Sequence, residues 1–224
     1  MKPPRRPLRI LLPAVACAML LGGCSSVDDW SGPRPDVASV GRLGSGYSDP
    51  ATPPTPEATI SPRPGSWDGV HPSKGYRVVL LTAGTDRATK TLVTAVDDWA
   101  DAEGVSLKTI TADDPRRYLD RIEDALDLSP HLIISAGKDL VDPLTLVTAN
   151  HLDQEFLVVG AELPEPTHNV TSANWTGASF RGTDNDTSSG HDPATFTPER
   201  AAHAVRAGVA AVLNGLTGIV VWLP

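Results

Sequence analysis

The segment from Ala83 to Thr91 carries glycine, lysine and threonine where a phosphate-binding loop has them. In such a loop the backbone N–H groups and the lysine bind nucleotide phosphates. Here Thr89 takes the place of the second glycine, which normally lets the backbone wrap around the phosphates. An ordinary strand-to-helix turn is therefore the better interpretation of Gly84 and Lys90. The turn still has functional interest, because ligands of open α/β sheets bind at the carboxyl ends of the strands.

Other reactive residues do not assemble into a recognised catalytic or metal motif. Asp184, Asp186 and Asp192 share one polar stretch and have oxygen ligands suited to Ca²⁺. They lack the spacing and the closing glutamate of an EF-hand, so a solvated acidic loop is the better interpretation. The six histidines show no metal-ligand spacing, and no Gly-x-Ser-x-Gly nucleophile elbow is present. The sequence therefore predicts no enzyme activity, no metal and no cofactor.

The N-terminus has the features of an exported lipoprotein. Four basic residues precede an apolar run over residues 10–21, which is too short to span a membrane and fits a cleaved signal. Leu21-Gly22-Gly23-Cys24 then resembles the bacterial lipobox. We expect residues 1–23 to be a lipoprotein signal peptide and Cys24 to be acylated, on the extracytoplasmic face of the cell membrane. The alternatives are an ordinary secretory signal and, from Arg5-Arg6, twin-arginine export.

Cleavage of the signal peptide would make the chain more acidic. The full chain has 19 Lys and Arg against 27 Asp and Glu, a net charge of −8. Loss of the four basic signal residues leaves 15 against 27, a net charge of −12. Such a surface repels phosphate backbones and anionic headgroups, so we expect no nucleic-acid partner. Cys17 leaves with the signal, so the mature chain has no internal disulfide.

Residues 24–75 are predicted to form a lipid-anchored tether rich in proline, serine and glycine. The segment contains nine prolines, and residues 51–59 show no apolar periodicity. Such a composition buries too little surface to offset the entropy of ordering. We expect mostly low order here, with Trp30, Tyr47 and Trp67 left to dock locally. A proline-rich tether would hold the domain well clear of the bilayer.

From residue 76 onward, strand and helix patterns alternate. Apolar strand patterns lie at 76–81, 105–110, 131–135, 155–159, 169–175 and 218–222. Helical patterns lie at about 88–103, 115–126, 139–147 and 197–214. The strand at 105–110 alternates in polarity, which predicts an edge strand, whereas continuous apolar strands are buried on both faces. These units predict one doubly wound, mostly parallel α/β domain over 76–224. The predicted centre comprises Val78, Val79, Leu80, Ile133, Ile134, Leu157 and Val158.

The order of these elements resembles one lobe of the type I periplasmic binding proteins. Within that class it is most similar to the basic membrane protein group of substrate-binding lipoproteins of ABC transporters. The resemblance rests on segments 76–81, 84–86, 132–139, 154–160, 169–172, 197–213 and 218–221. It implies capture of a small solute, nucleoside-like or other, and a transporter permease as partner.

The resemblance also places a ligand at the carboxyl edge of the sheet, near Gly84, Asp86, Gly137 and Lys138. In that group the turn after the first strand commonly contains Asp-x-Ser-Phe-Asn. Asp86 is present here, but residues 88–90 replace Ser-Phe-Asn, so the stacking aromatic is missing. The sequence also ends where the second lobe of such a protein would begin.

Two functions follow from these departures. The chain is either a solute-binding lipoprotein or a single-lobe scaffold that binds proteins at the cell envelope, and the missing aromatic favours the scaffold. A two-lobed pocket encloses roughly 70–90% of its ligand. One lobe offers about half of those contacts, and half of a micromolar binding energy leaves about millimolar affinity. A second copy that covers the open edge makes a homodimer a candidate partner.

Overall fold

The computed structural model describes residues 30–178 and 191–224. Its centre is a seven-stranded sheet of order β2-β9-β8-β7-β6-β4-β5, in which all neighbouring strands are parallel. Its strands are β2 (Thr59–Ile60), β4 (Arg77–Ala83), β5 (Ser106–Ala112), β6 (Leu132–Ala136), β7 (Glu155–Val159), β8 (Val170–Asn174) and β9 (Val220–Trp222). A separate antiparallel pair joins β1 (Ser39–Gly41) to β3 (Val70–Pro72). The edge position of β5 confirms the prediction from its alternating pattern.

Helices cover both faces of the sheet. They are α1 (Arg87–Glu103), α2 (Tyr118–Asp127), α3 (Val141–Thr148) and α4 (Pro198–Leu213). The buried side chains of α1 and α4 share one apolar cluster, and those of α2 and α3 share the cluster on the opposite face. The predicted doubly wound, mostly parallel α/β architecture is therefore confirmed.

The helices begin and end at residues suited to those positions. Thr197 caps α4 by accepting a hydrogen bond from the Arg200 N–H, with Pro198 in the first turn. Gly104 ends α1 in the left-handed conformation at φ 64°. The predicted start of α2 at residue 115 is corrected, because Asp114 instead caps a short 3₁₀ turn over Pro115–Arg117. α2 follows from Tyr118.

The core lies along the central strands. All seven residues predicted for the centre are fully buried. Gly208 brings α4 close to the sheet, because a Cβ there would lie 2.6 Å from Leu157 Cδ1. Dense packing on both faces makes cavities in these strands costly.

The expected tether over residues 24–75 is wrong for the part that the structure describes. Tyr47 and Trp67 are each 2% exposed and belong to the same apolar cluster as α1 and α4. The Tyr47 hydroxyl donates to the Ala207 carbonyl at 2.6 Å, and the Trp67 ring packs against His203 with centroids 5.7 Å apart. Scattered aromatic anchors therefore provide burial that a search for periodicity does not detect.

The same segment also extends the main sheet. Thr59 and Ile60 pair with Val220 and Val221 of β9, and the Glu57 N–H donates to the Gly218 carbonyl at 2.7 Å. The otherwise open edge of β9 thus receives a partner from the proline-rich segment. The folded α/β domain therefore already includes Trp30, whereas the sequence predicted a start at residue 76.

Truncation of Ile134 to alanine should lower the free energy of unfolding by about 2–5 kcal/mol, because it leaves a cavity in a fully buried strand. Chemical denaturation would measure the change. Leu146→Ala is the matched control, since Leu146 is 65% exposed and its truncation should cost less than about 0.5 kcal/mol. Equal losses in the two variants would contradict the assigned core.

Trp67→Ala should cost about 3–5 kcal/mol in the same assay, because the indole is buried within the domain. Arg63→Ala, an exposed change in the same segment, should have little effect. A Trp67→Ala variant as stable as the wild type would restore the tether hypothesis.

Candidate functional site

The four residues predicted to bind ligand meet at the carboxyl edge of two neighbouring strands. Gly84 and Asp86 follow β4, and Gly137 and Lys138 follow β6, which pairs with β4. A Cβ on Gly84 would lie 2.6 Å from Asp139 Oδ2 and 3.5 Å from Asp86 Oδ2.

A Cβ on Gly137 would lie 3.3 Å from Thr89 Oγ1, so α1 reaches the same place. We call Gly84, Asp86, Thr89, Gly137, Lys138 and Asp139 the β4–β6 edge cluster. Asp139 belongs to this cluster but was not predicted from the sequence.

Asp86 is fixed by the start of α1. Its Oδ1 accepts a hydrogen bond from the Thr89 N–H at 3.0 Å, and its Oδ2 accepts one from Thr89 Oγ1 at 2.7 Å. Burial raises the pKa of Asp86, but the hydrogen bonds from Thr89 outweigh it and hold the pKa below its usual value. Asp86 is therefore an ionised helix cap, with lone pairs left on both oxygens for a further donor.

The remaining charges of the cluster are paired with each other. Lys138 Nζ donates to Asp139 Oδ1 at 2.6 Å. The neighbouring Tyr118 has a raised pKa, chiefly from burial and also from the negative charge of Asp139. Two carboxylates and one ammonium leave a net charge of −1, which suits a ligand that presents hydroxyl or N–H donors.

Next to this cluster, the edge above β7 is filled by the chain's own side chains. A Cβ on Gly160 would lie 2.9 Å from Phe196 Cε1 and 3.0 Å from Leu92 Cδ1. Phe196 packs edge-on against Trp175 with ring centroids 5.0 Å apart. Aromatic side chains thus lie at the carboxyl edge, although the turn after β4 lacks one.

A buried polar pair lies beyond these aromatic rings. Asn174 Nδ2, at the end of β8, donates to Glu162 Oε1 at 2.6 Å. The two residues are 0% and 5% exposed. Neither residue was predicted from the sequence, although both lie at carboxyl ends of parallel strands, just after β7 and at the end of β8.

A separate groove of about 470 Å³ runs between α1 and α4. Trp99 lies along it, and Arg87, Lys90 and Arg206 give it a positive rim. Lys90 therefore belongs to the helix layer, and Thr91 Oγ1 donates to the Arg87 carbonyl within α1. These positions do not form a phosphate-binding loop.

The remaining residues named from the sequence, the acidic stretch and the lipidation cysteine, either cap a turn or lie outside the described residues. Asp192 caps the turn at Pro193–Thr195, whereas Asp184, Asp186 and Cys24 lie outside the described residues. Across residues 30–178 and 191–224, no cluster of three or more His, Cys, Asp or Glu side chains could hold a metal ion. No helix in that part of the chain has the length and apolarity to cross a membrane.

No family model and no curated protein matches the sequence. Several solved structures have a chain trace similar to part of this one. One is an ABC-transporter solute-binding protein from Aeropyrum pernix K1, with a TM-score of 0.41 and 20% identity over 46% of this chain and 29% of that chain. A fragment of a candidate lipoprotein from Peptoclostridium difficile 630 has a TM-score of 0.46 and 17% identity over 62% of this chain and 98% of its own.

A periplasmic ribose ABC transporter protein from Conexibacter woesei DSM 14684 is a third. It has a TM-score of 0.39 and 13% identity, over 66% of this chain and 54% of its own. The chain thus spans less than two thirds of the length of both transporter proteins. None of these similarities identifies a ligand.

Asp86→Ala should destabilise the domain by about 0.5–2 kcal/mol, because it removes the cap of α1. Asp86→Asn should lose much less, since asparagine also caps helices well. The folded-state pKa of Asp86 is lowered, so its stabilisation is present above the unfolded pKa and is lost as the pH falls through the folded pKa. Denaturation at neutral and acidic pH would measure both effects, and equal losses in the two variants would exclude a capping role.

Glu155, the first residue of β7, makes the stability of the domain depend on pH in a second way. Its Oε2 is buried and has no hydrogen-bond partner among the described residues. Burial raises the pKa of Glu155 from 4.5 to about 7. The folded state therefore binds the proton more tightly than the unfolded chain, and the stability from this group falls as the pH rises between these two values.

Glu155→Gln should remove that pH dependence. The stability of the variant relative to the wild type should rise between about pH 4.5 and 7 and then level off. Glu123→Gln, an exposed change on α2, is the matched control and should run parallel to the wild type. If the free energy of unfolding of Glu155→Gln followed the same pH dependence as that of the wild type, the raised pKa of Glu155 would be contradicted.

Proposed function

We propose that the chain is a bacterial lipoprotein, anchored by acyl groups on Cys24, whose α/β domain binds a small solute for an ABC transporter. The sequence support is the signal pattern over residues 1–23 followed by the lipobox. The observation that carries solute binding is the convergence of the β4–β6 edge cluster at the carboxyl ends of neighbouring parallel strands. The protein then acts on the extracytoplasmic side of the membrane, without catalysis.

The chemistry of the cluster indicates the class of solute. Carboxylates on Asp86 and Asp139 accept hydrogen bonds from hydroxyl groups, and Lys138 donates to an acceptor. A polyhydroxylated or nucleoside-like molecule has both kinds of group. The basic membrane protein group is the family that we favour on sequence pattern.

The open edge limits affinity unless something closes it. A site at one open edge makes about half the contacts of a fully enclosed site, which corresponds to about millimolar binding. A second copy of the chain placed over this edge would supply a second wall. Affinity should therefore rise under conditions that favour such an assembly.

Calorimetry of the mature chain against nucleosides, sugars and amino acids tests this function. The expected result is a ligand whose affinity falls about 10–100-fold in Asp86→Asn, which removes the charge but keeps the cap. Asp124→Asn, on the exposed face of α2, should leave affinity unchanged. A ligand that binds Asp86→Asn as tightly as the wild type would exclude the β4–β6 edge cluster as the site.

A second candidate function is a non-catalytic scaffold that binds proteins at the cell envelope. The observation in its favour is the filling of the edge above β7 by Phe196, Leu92 and Trp175, which leaves less room for a solute. The absence of any ligand at millimolar concentration, for monomer and assembly alike, would favour this scaffold.

Acylation should depend on Cys24. Incorporation of a labelled fatty acid should be lost in Cys24→Ala and retained in Cys17→Ala, the matched control inside the signal peptide. Two or more acyl chains give stable anchoring, whereas one chain gives only marginal binding. Full label on Cys24→Ala would exclude the proposed lipobox.

A further inference from the structure

Trp30 is fixed at the start of the edge strand β5. Its Nε1 donates to Ser106 Oγ at 2.7 Å. Lys108 Nζ lies 4.6 Å from the ring centroid, and Arg77 Cζ lies 5.6 Å from it, so two cations contact the indole. The side chain is 8% exposed. Trp30 is thus bound firmly to the domain.

The next residues cross the amino edge of the sheet from one strand to the next. The Gly32 carbonyl accepts from Arg77 Nη1 at 3.1 Å, at the start of β4. Arg34 Nη1 donates to the Pro130 carbonyl at 2.7 Å, just before β6. The Pro35 carbonyl lies 2.8 Å from His131 Nε2.

The tautomer of His131 follows from its contacts. Its Nδ1 accepts from the Arg77 N–H at 2.8 Å, which leaves Nε2 to donate to Pro35. The segment from Trp30 to Pro35 is therefore held along the starts of β5, β4 and β6. We call this side of the molecule the amino edge.

This attachment shortens the chain between lipid and domain. Trp30 follows Cys24 by six residues. A fully extended chain covers at most about 3.6 Å per residue, so six residues reach about 20 Å. A tether of about fifty residues at about 3.1 Å each would reach roughly 150 Å.

We propose that the amino edge is the membrane-proximal face of the domain and lies against the phospholipid surface. The proposal rests on the proposed acylation of Cys24. The edge carries Asp127, Asp153 and Glu155 as well as Arg34, so the short connection and not a basic patch holds it there.

The orientation has a consequence for the candidate site. The β4–β6 edge cluster lies at the opposite ends of the strands, and the seven residues of β4 span about 20 Å. The cluster therefore opens away from the bilayer, toward solute outside the cell. A permease that receives this solute must reach over the domain or wait for its release.

Energy transfer between the domain and the membrane tests the orientation. The full mature chain, with its acylation verified by mass spectrometry, is incorporated into phosphatidylcholine and phosphatidylglycerol vesicles that carry an acceptor dye on the headgroups. Signal cleavage leaves Cys24 as the chain's sole cysteine, since the other is Cys17. Asp127→Cys at the amino edge and Thr85→Cys at the carboxyl edge, both exposed, can each carry a single donor.

The donor at position 127 should lie about 20 Å closer to the membrane than the donor at position 85. A flexible insert of about 20 Gly and Ser residues between Cys24 and Trp30 should abolish this difference, while the domain and the anchor stay the same. Trp30→Ala should have a smaller effect than the insert, because the first fixed residue becomes Gly32, whose carbonyl accepts from Arg77, and the connection grows by at most about 7 Å.

Equal distances for the two donors, or a shorter distance for position 85, in the wild-type chain would overturn the orientation. A difference that survives the insert would also overturn it, since the short connection would then not be the cause. A mature chain without acyl groups would overturn the anchor as well, and the mass spectrum separates that failure from a wrong orientation.

Discussion

The structure depends on a parallel sheet whose central strands are buried on both faces. β4 and β6 expose almost nothing to solvent, so two helical layers must cover them. Covering the faces leaves the ends of the strands, where backbone groups still need partners. At the amino edge residues 30–35 contact the starts of the strands, where Arg34 donates to the Pro130 carbonyl and Trp30 to the Ser106 side chain. At the carboxyl edge the β4–β6 edge cluster remains accessible.

The sequence predicted the elements that obey simple periodicity. Apolar runs located the strands, and the alternation of residues 105–110 located the edge strand correctly. The proline-rich segment could not be predicted in the same way, because its anchors are single residues in an irregular chain. Tyr47 and Trp67 are far apart in sequence, and their burial depends on the surface of α4, which exists only in the folded domain.

The candidate site was predictable to a similar degree. Asp86 and Lys138 were predicted from the family resemblance, and the pairing of β4 with β6 brings them together, whereas their binding of a ligand stays a prediction. Asp139 was missed because its proximity to Gly84 depends on the turn after β6. Phe196 was missed because it reaches the sheet from a distant part of the chain, and no local pattern encodes that contact.

Membership of residues 30–75 in the folded domain is the central claim, since the proposed short connection to the lipid and the proposed orientation of the site both depend on it. Hydrogen exchange of the native mature chain, resolved by peptide, tests it most directly. Because the backbone N–H groups of Arg63, Ser73 and Tyr76 are hydrogen-bonded, peptides covering residues 57–76 should exchange much more slowly than the unfolded chain. Exchange at the unfolded rate throughout residues 30–75, with α4 still protected, would contradict the claim.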